Sequence, residues 1–179
     1  PENMFGTALG YAVASRGGDF NAVYSCLEYT WSPERAEREL GTRLAVEPCA
    51  TQGKPELIRR SMLVNCVLDS LGLCKIPLLS LVNSFDLVLE TELASALTGW
   101  DLEPEDLFLM GERVANLERL LNLRFGLSPE QDVLPRMFEV FFQDESGHEV
   151  DLLRSMVQGF YSLMGWDERG QPRAPTLER

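Results

Sequence analysis

Residues 55–77 read PELIRRSMLVNCVLDSLGLCKIP. Leu57, Met62, Leu63, Cys66, Val67 and Leu71 recur there at roughly helical spacing, which predicts a helix from about Pro55. Gly72 is the residue type that most often follows a helix C-terminus, so the helix is expected to end there. Pro77 cannot continue a helix easily, because its ring blocks the preceding turn and it lacks an N–H. The same stretch sets a carboxylate, Asp69, and a thiol, Cys74, on either side of that glycine. Taken alone, this reads as a solvated Asp beside a small buried cysteine. A cofactor site is the alternative.

Working outward, the rest of the chain is also helical in pattern. FGTALGYAVASRGGDFN reads as a turn-rich segment with one short helix, and Gly17-Gly18 marks a turn. Its glycines do not follow G-x-G-x-x-G and no strand precedes them, which argues against a dinucleotide loop. Ser32 is a good N-cap, followed by Pro33 in the first helical position, and predicts a helix to about Leu40. A loop with two prolines follows. A second long pattern runs from Phe85 to Leu97, closed by Gly99. The next starts at Pro104, with acids at its start and Arg119 and Arg124 near its end, the charge order a helix dipole favours. Leu107, Met110, Val114, Leu117, Leu120 and Leu121 form its expected core face.

Ser128 and Gln131 have capping-box spacing, and Pro135 cuts that turn short. MFEVFFQDESGHE fits a strand-like run or a short helix, and a last helix is expected from Glu149 to Met164. Neither repeats nor long alternating runs occur. The expected class is mainly α, an irregular multi-helix bundle. The chain reads as a single helical domain over 1–179, with 1–30 a candidate end of a preceding domain and 165–179 a surface tail.

The 179 residues carry a formal net charge of -12, which argues against nucleic acid and against an anionic membrane surface. No apolar run has the length of a membrane span and no signal-peptide pattern opens the chain, so a cytoplasmic location is expected. The abrupt start at Pro1 suggests a fragment or processed chain. Four cysteines without C-x-x-C spacing suit a reducing compartment. With one histidine, His148, a self-contained zinc site or a triad is a poor fit, and His148 reads as a surface residue of a polar turn. Cys26, Cys49 and Cys66 read as core or inert. Arg16 and Asp19 suit either a turn-stabilising ion pair or a position near a ligand. Glu112, Arg113, Glu118 and Arg119 read as a solvated or interdomain charged face, and Trp100 and Trp166 as loop anchors.

Five short motifs, in order, resemble one family. DSLGLC (Asp69 to Cys74) resembles the D-x-x-G-L-C element of tungsten-dependent aldehyde ferredoxin oxidoreductases. GYAVASRGGD, TGWDLEPEDLFLMGERVANLERLLNLRFGL, QDVLPRMF and GWDERGQP resemble its other segments, so the resemblance covers nearly the whole chain.

The resemblance implies the C-terminal helical region of an enzyme that oxidises aldehydes to carboxylic acids. The implied cofactors are a tungstopterin (or molybdopterin) and a [4Fe-4S] cluster that hands electrons to a ferredoxin-type acceptor. The implied partner is an N-terminal pterin-binding domain or subunit. By this resemblance Asp69 hydrogen-bonds a pterin ring, Leu73 touches it through its backbone, and Cys74 is the fourth cluster ligand. An ionised carboxylate only accepts hydrogen bonds, which suits ring N–H donors, and a thiolate is a soft ligand for iron. The family's C-x-x-C-x-x-x-C run and D-x-x-G-x-D element are absent, and Phe20 stands where relatives often have His. The chain alone is therefore expected to hold no cofactor, and its catalytic residues are unassigned. The competing expectation is a cofactor-free, acidic helical interaction module.

Overall fold

The computed structural model describes residues 4–83, 85–134 and 152–178. Its helices are α1 (Phe5–Val13), α2 (Leu27–Thr30), α3 (Pro33–Leu40), α4 (Lys54–Ser70), α5 (Val88–Thr98), α6 (Pro104–Arg124), α7 (Leu152–Met164) and α8 (Ala174–Leu177). Short 3-10 turns occupy Arg43–Val46 and Pro129–Gln131, and one π-helical stretch spans Ile76–Val82. Among the described residues the sole β pairing is an isolated bridge between Trp166 and Pro172. The fold is mainly α. No helix among the described residues is long and apolar enough to cross a membrane.

The stretch that opened the sequence reading is the centre of the bundle. α4 buries Leu57, Ile58, Leu63, Val64, Val67 and Leu68 almost completely. These side chains point all round the helix, so it needs neighbours on every side. α6, α7 and α1 supply them. The closest approach is at Gly111 of α6, where a Cβ would come within 2.6 Å of the Leu63 carbonyl oxygen. Only glycine lets the two backbones pack this tightly.

That approach explains why the expected core face of α6 is only partly right. Leu107 is buried, but Leu117, Leu120 and Leu121 are exposed. The stripe that meets the core is Leu107, Gly111, Ala115 and Arg119, one residue per turn. Periodicity marks a leucine stripe, but it cannot say whether this chain covers it. Leu117 and Leu120 instead line a shallow groove with Leu177 of α8.

Local signals were accurate at several helix ends. Ser32 accepts from the Arg35 N–H at 3.2 Å and Gly41 closes α3 in the left-handed region. Ser128 and Gln131 form the capping box. α5 starts three residues later than expected, because Leu87 turns left-handed and Asp86 accepts from the Val88 N–H at 3.1 Å. After α4, Pro77 opens a π-helical stretch instead of leaving a loop. α7 is described from Leu152, and the expected start at Glu149, the ambiguous MFEVFFQDESGHE run and Pro135 lie outside the described residues. The 165–179 segment is mostly exposed but is fastened to the bundle. Trp166 is buried, with its indole N–H donating to Asn116 Oδ1 at 2.6 Å. Trp100, expected as a second anchor, is largely exposed.

Two buried charge networks hold the scaffold. Glu28 and Lys54 form an ion pair at 2.7 Å with both side chains 0% exposed. Glu28 also accepts from the Gly6 N–H at 2.8 Å and the Thr7 N–H at 2.9 Å, at the positive N-terminus of α1. Lys54 spends its other protons on the Ala45 and Glu47 carbonyls at 2.9 and 2.8 Å. In the second network Arg119 donates to Asp132 Oδ1 at 3.0 Å, to the Gly170 carbonyl at 2.8 Å and to Tyr161 Oη at 3.3 Å. Tyr161 Oη donates to Asp132 in turn. Burial and then the Asp132 contact push the Tyr161 phenol well above its ordinary range, so it stays protonated. Arg119 is thus an internal clamp of α6, α7 and the 165–179 segment, which corrects its reading as part of a solvated face.

Candidate functional site

The C-terminus of α4 is built around one backbone device. The Leu73 N–H donates to the Leu68 carbonyl at 2.9 Å and the Gly72 N–H to the Asp69 carbonyl at 3.2 Å. This is the paired bond pattern of a Schellman motif, and Gly72 supplies its left-handed residue with φ +68°. The chain reverses within two residues. Asp69 stays on the last turn of the helix, and Cys74 leaves on the outgoing strand of the turn, exposed.

Leu73 is half-buried against the core. Its N–H is already spent on Leu68, so only its carbonyl or side chain remains for a contact with a ligand.

Asp69 is 49% exposed in its side chain and does not stand alone. Lys75 Nζ donates to its Oδ2 at 2.8 Å, and the Arg16 guanidinium lies 3.8 Å from the same oxygen. Arg16 also pairs with Asp19 at 3.1 Å. The ion pair expected of Arg16 and Asp19 is present: it stabilises the turn after α1, and it brings Arg16 against Asp69. A carboxylate in the last turn of a helix opposes the helix dipole by roughly 0.3–1 kcal/mol, and the two cations offset that. Both engage Oδ2. Among the described residues, Oδ1 has no hydrogen-bond partner, so it is an open acceptor on a half-exposed side chain.

The other cysteines differ in kind. Cys26 and Cys66 are buried, and burial pushes each thiol up to about 12. Such thiols make poor thiolate donors. Cys49, expected as core or inert, is exposed and so is not a core residue. Among the described residues no group of three or more His, Cys, Asp or Glu side chains could hold a metal ion. What the end of α4 offers to a metal or cofactor is single donors: a carboxylate oxygen of Asp69 and the exposed thiol of Cys74. They fit a pterin N–H donor and one cluster iron, as complements to ligands from elsewhere. Phe20 is exposed and stacks edge-on with Tyr24 at 4.6 Å. His148 lies outside the described residues.

The reading by residue type missed Lys75. Its charge adjacent to Cys74 was visible, but nothing in its spacing showed that it folds back six residues onto Asp69. Glu28 and Lys54 were missed as well, because a buried ion pair across 26 residues leaves no periodic trace.

A family model described as aldehyde ferredoxin oxidoreductase, domains 2 and 3, matches residues 1–179. The tungsten-containing aldehyde ferredoxin oxidoreductase of Pyrococcus furiosus is 34% identical over 185 aligned positions, covering 99% of this chain and 28% of that protein. Its counterpart in Pyrococcus horikoshii is 32% identical over 177 positions, covering 96% of this chain and 27% of that protein. That of Thermococcus kodakarensis is 32% identical over 185 positions, covering 99% and 28%. The chain spans little more than a quarter of the length of these relatives. It belongs to the aldehyde ferredoxin oxidoreductase family, within the region described as domains 2 and 3.

Proposed function

We propose that this chain works as part of a tungsten or molybdenum pterin enzyme that oxidises aldehydes to carboxylic acids. Its share of the site is Asp69 and Leu73 toward a pterin and Cys74 toward a [4Fe-4S] cluster. The observation that supports this reading is the α4 terminus: a Schellman turn that leaves Asp69 Oδ1 open and Cys74 exposed.

The remaining ligands belong to other parts of the enzyme, an N-terminal pterin-binding domain or subunit. The chemistry that the two cofactors supply when bound is two-electron oxidation of the substrate and single-electron relay to a ferredoxin-type acceptor. An aldehyde and water then give a carboxylate, protons and two electrons. This chain's residues position and enclose. Asp69 accepts from ring N–H groups, where an ionised acceptor is about twice as strong as a neutral one. Leu73, whose N–H is spent on Leu68, offers its carbonyl for a backbone contact with the same ring. The exposed leucines of α6 are a face for the rest of the enzyme to cover. Thiolate ligation calls for reducing surroundings, in keeping with a cytoplasmic location.

In the complete enzyme, Cys74→Ala should lower the iron content and remove or alter the cluster's EPR signal. Unchanged iron and an unchanged signal would overturn the ligand assignment.

A further inference from the structure

We infer that Lys75 is a positioning residue for the pterin site, with Arg16 as its weaker assistant; the inference rests on the proposed role of Asp69. Three observations carry it. Lys75 is the better ordered of the two cations by environment, with a side chain 12% exposed against 54% for Arg16. Its ammonium makes two contacts at once, to Asp69 Oδ2 at 2.8 Å and to the Asn21 carbonyl. The Asn21 N–H is itself held by Asp19 Oδ1 at 2.8 Å, and Arg16 pairs with Asp19 at 3.1 Å. Lys75, Asp69, Arg16, Asp19 and Asn21 therefore close a ring of polar contacts between the end of α4 and the turn after α1.

The ring fixes which Asp69 oxygen is available. A free aspartate rotates about χ2 and presents either oxygen in a broad range of directions. With Oδ2 gripped by Lys75 and approached by Arg16, rotation stops and Oδ1 alone is presented. A flat heterocycle with N–H donors needs that: one acceptor, in one direction. Lys75 follows the thiol of Cys74 directly, so the same contact also ties the outgoing strand of the turn back to the helix. The ammonium touches neither pterin nor substrate on this reading. It acts through Asp69.

The test uses the full-length enzyme carrying Lys75→Met, Lys75→Arg, Asp69→Asn and the Asp69→Asn/Lys75→Met pair. Tungsten, released pterin and iron are measured per polypeptide after gel filtration, with the thermal midpoint of each variant. Lys75→Met is expected to lower retained tungsten and pterin by about 10-fold, the scale on which outer partners of a ligand act. Lys75→Arg should restore most of it, since a guanidinium can donate to Asp69 Oδ2 and to the Asn21 carbonyl while leaving Oδ1 open. In the Asp69→Asn background, Lys75→Met should cause no further loss. Wild-type retention in Lys75→Met, or a double variant whose loss is the product of the single losses, overturns the inference while leaving Asp69 in place. Wild-type retention in Asp69→Asn overturns the proposed role of Asp69 instead. Should Lys75→Met fail to fold, Arg16→Gln takes its place: a smaller loss that vanishes in the Asp69→Asn background supports the ring, and no loss overturns it.

Discussion

Two ion pairs in this molecule have nearly the same chemistry and opposite character. Glu28–Lys54 and Asp69–Lys75 are each a carboxylate and an ammonium, 2.7 and 2.8 Å apart. The first is 0% exposed on both sides, and its remaining donors and acceptors are taken up by backbone groups of α1 and of the turn before α4. The second lies at the surface, with one carboxylate oxygen engaged twice and the other left open. A fully satisfied buried pair can bind nothing further, so it is scaffold. A half-satisfied pair at a helix end has capacity to spare. The difference separates what holds the fold from what the fold presents.

The largest expected effect tests the scaffold half of this comparison. Lys54→Met should destabilise the protein by about 3–5 kcal/mol, because it leaves the Glu28 carboxylate charged, buried and short of its cation. The lost contacts to Ala45 and Glu47 would loosen the turn before α4 as well. Chemical denaturation of the full-length enzyme measures this. A loss under about 1 kcal/mol, the scale of surface pairs, would erase the distinction between the two pairs.

How much of this was legible in the sequence divides along the same line. Helix ends were readable because their signals are local: Ser32 caps α3, Gly72 turns α4, and Ser128 pairs with Gln131. The position of Asp69 and Cys74 about Gly72 was readable for the same reason. What needed the structure was anything that depends on distant packing. The leucine stripe of α6 was plain, yet the face that meets α4 is the one with Gly111 and Ala115, since close backbone approach outranks side-chain bulk there. Arg119 has the spacing of a solvated helix face, and Asp132, Tyr161 and Gly170 make it an internal clamp. No pattern in the chain announces that Lys75 reaches back to Asp69.

A third carboxylate falls between the two pairs and sharpens the comparison. Glu90, in the first turn of α5, is 1% exposed, and among the described residues neither of its oxygens has a hydrogen-bond partner. Burial, with the charge of Asp86, holds its carboxyl above the usual range. The folded state therefore binds the Glu90 proton more tightly than the unfolded chain does. Its favourable contribution is fully present below the unfolded pKa and is lost as pH rises through the raised folded pKa. Glu90→Gln removes that titration. The variant should match or fall below the wild type in acid and gain on it, by about 1 kcal/mol or more, as pH rises toward neutrality. Denaturation midpoints across that range give the answer, and a difference that does not change with pH would mean the Glu90 carboxyl titrates alike in both states.

The smallest expected effect on stability comes from the pair the comparison assigns to the site. Asp69→Asn removes the charge from the contacts with Lys75 and Arg16 and leaves only an amide oxygen to accept from them. The carboxylate is half-exposed, so water replaces what is lost, and the change should stay within about 1 kcal/mol. Part of even that is offset, because a neutral side chain no longer opposes the C-terminal end of the α4 dipole. The same substitution should nevertheless cost the complete enzyme its grip on the pterin, since Asn offers a weaker acceptor and an N–H that points donor at donor. A variant that folds as well as the wild type and holds less cofactor is the signature of a residue kept for binding. If Asp69→Asn instead unfolds the protein by several kcal/mol, the cluster about Asp69 belongs with Glu28 and Lys54 as scaffold, and the open oxygen at the end of α4 is only a surface carboxylate.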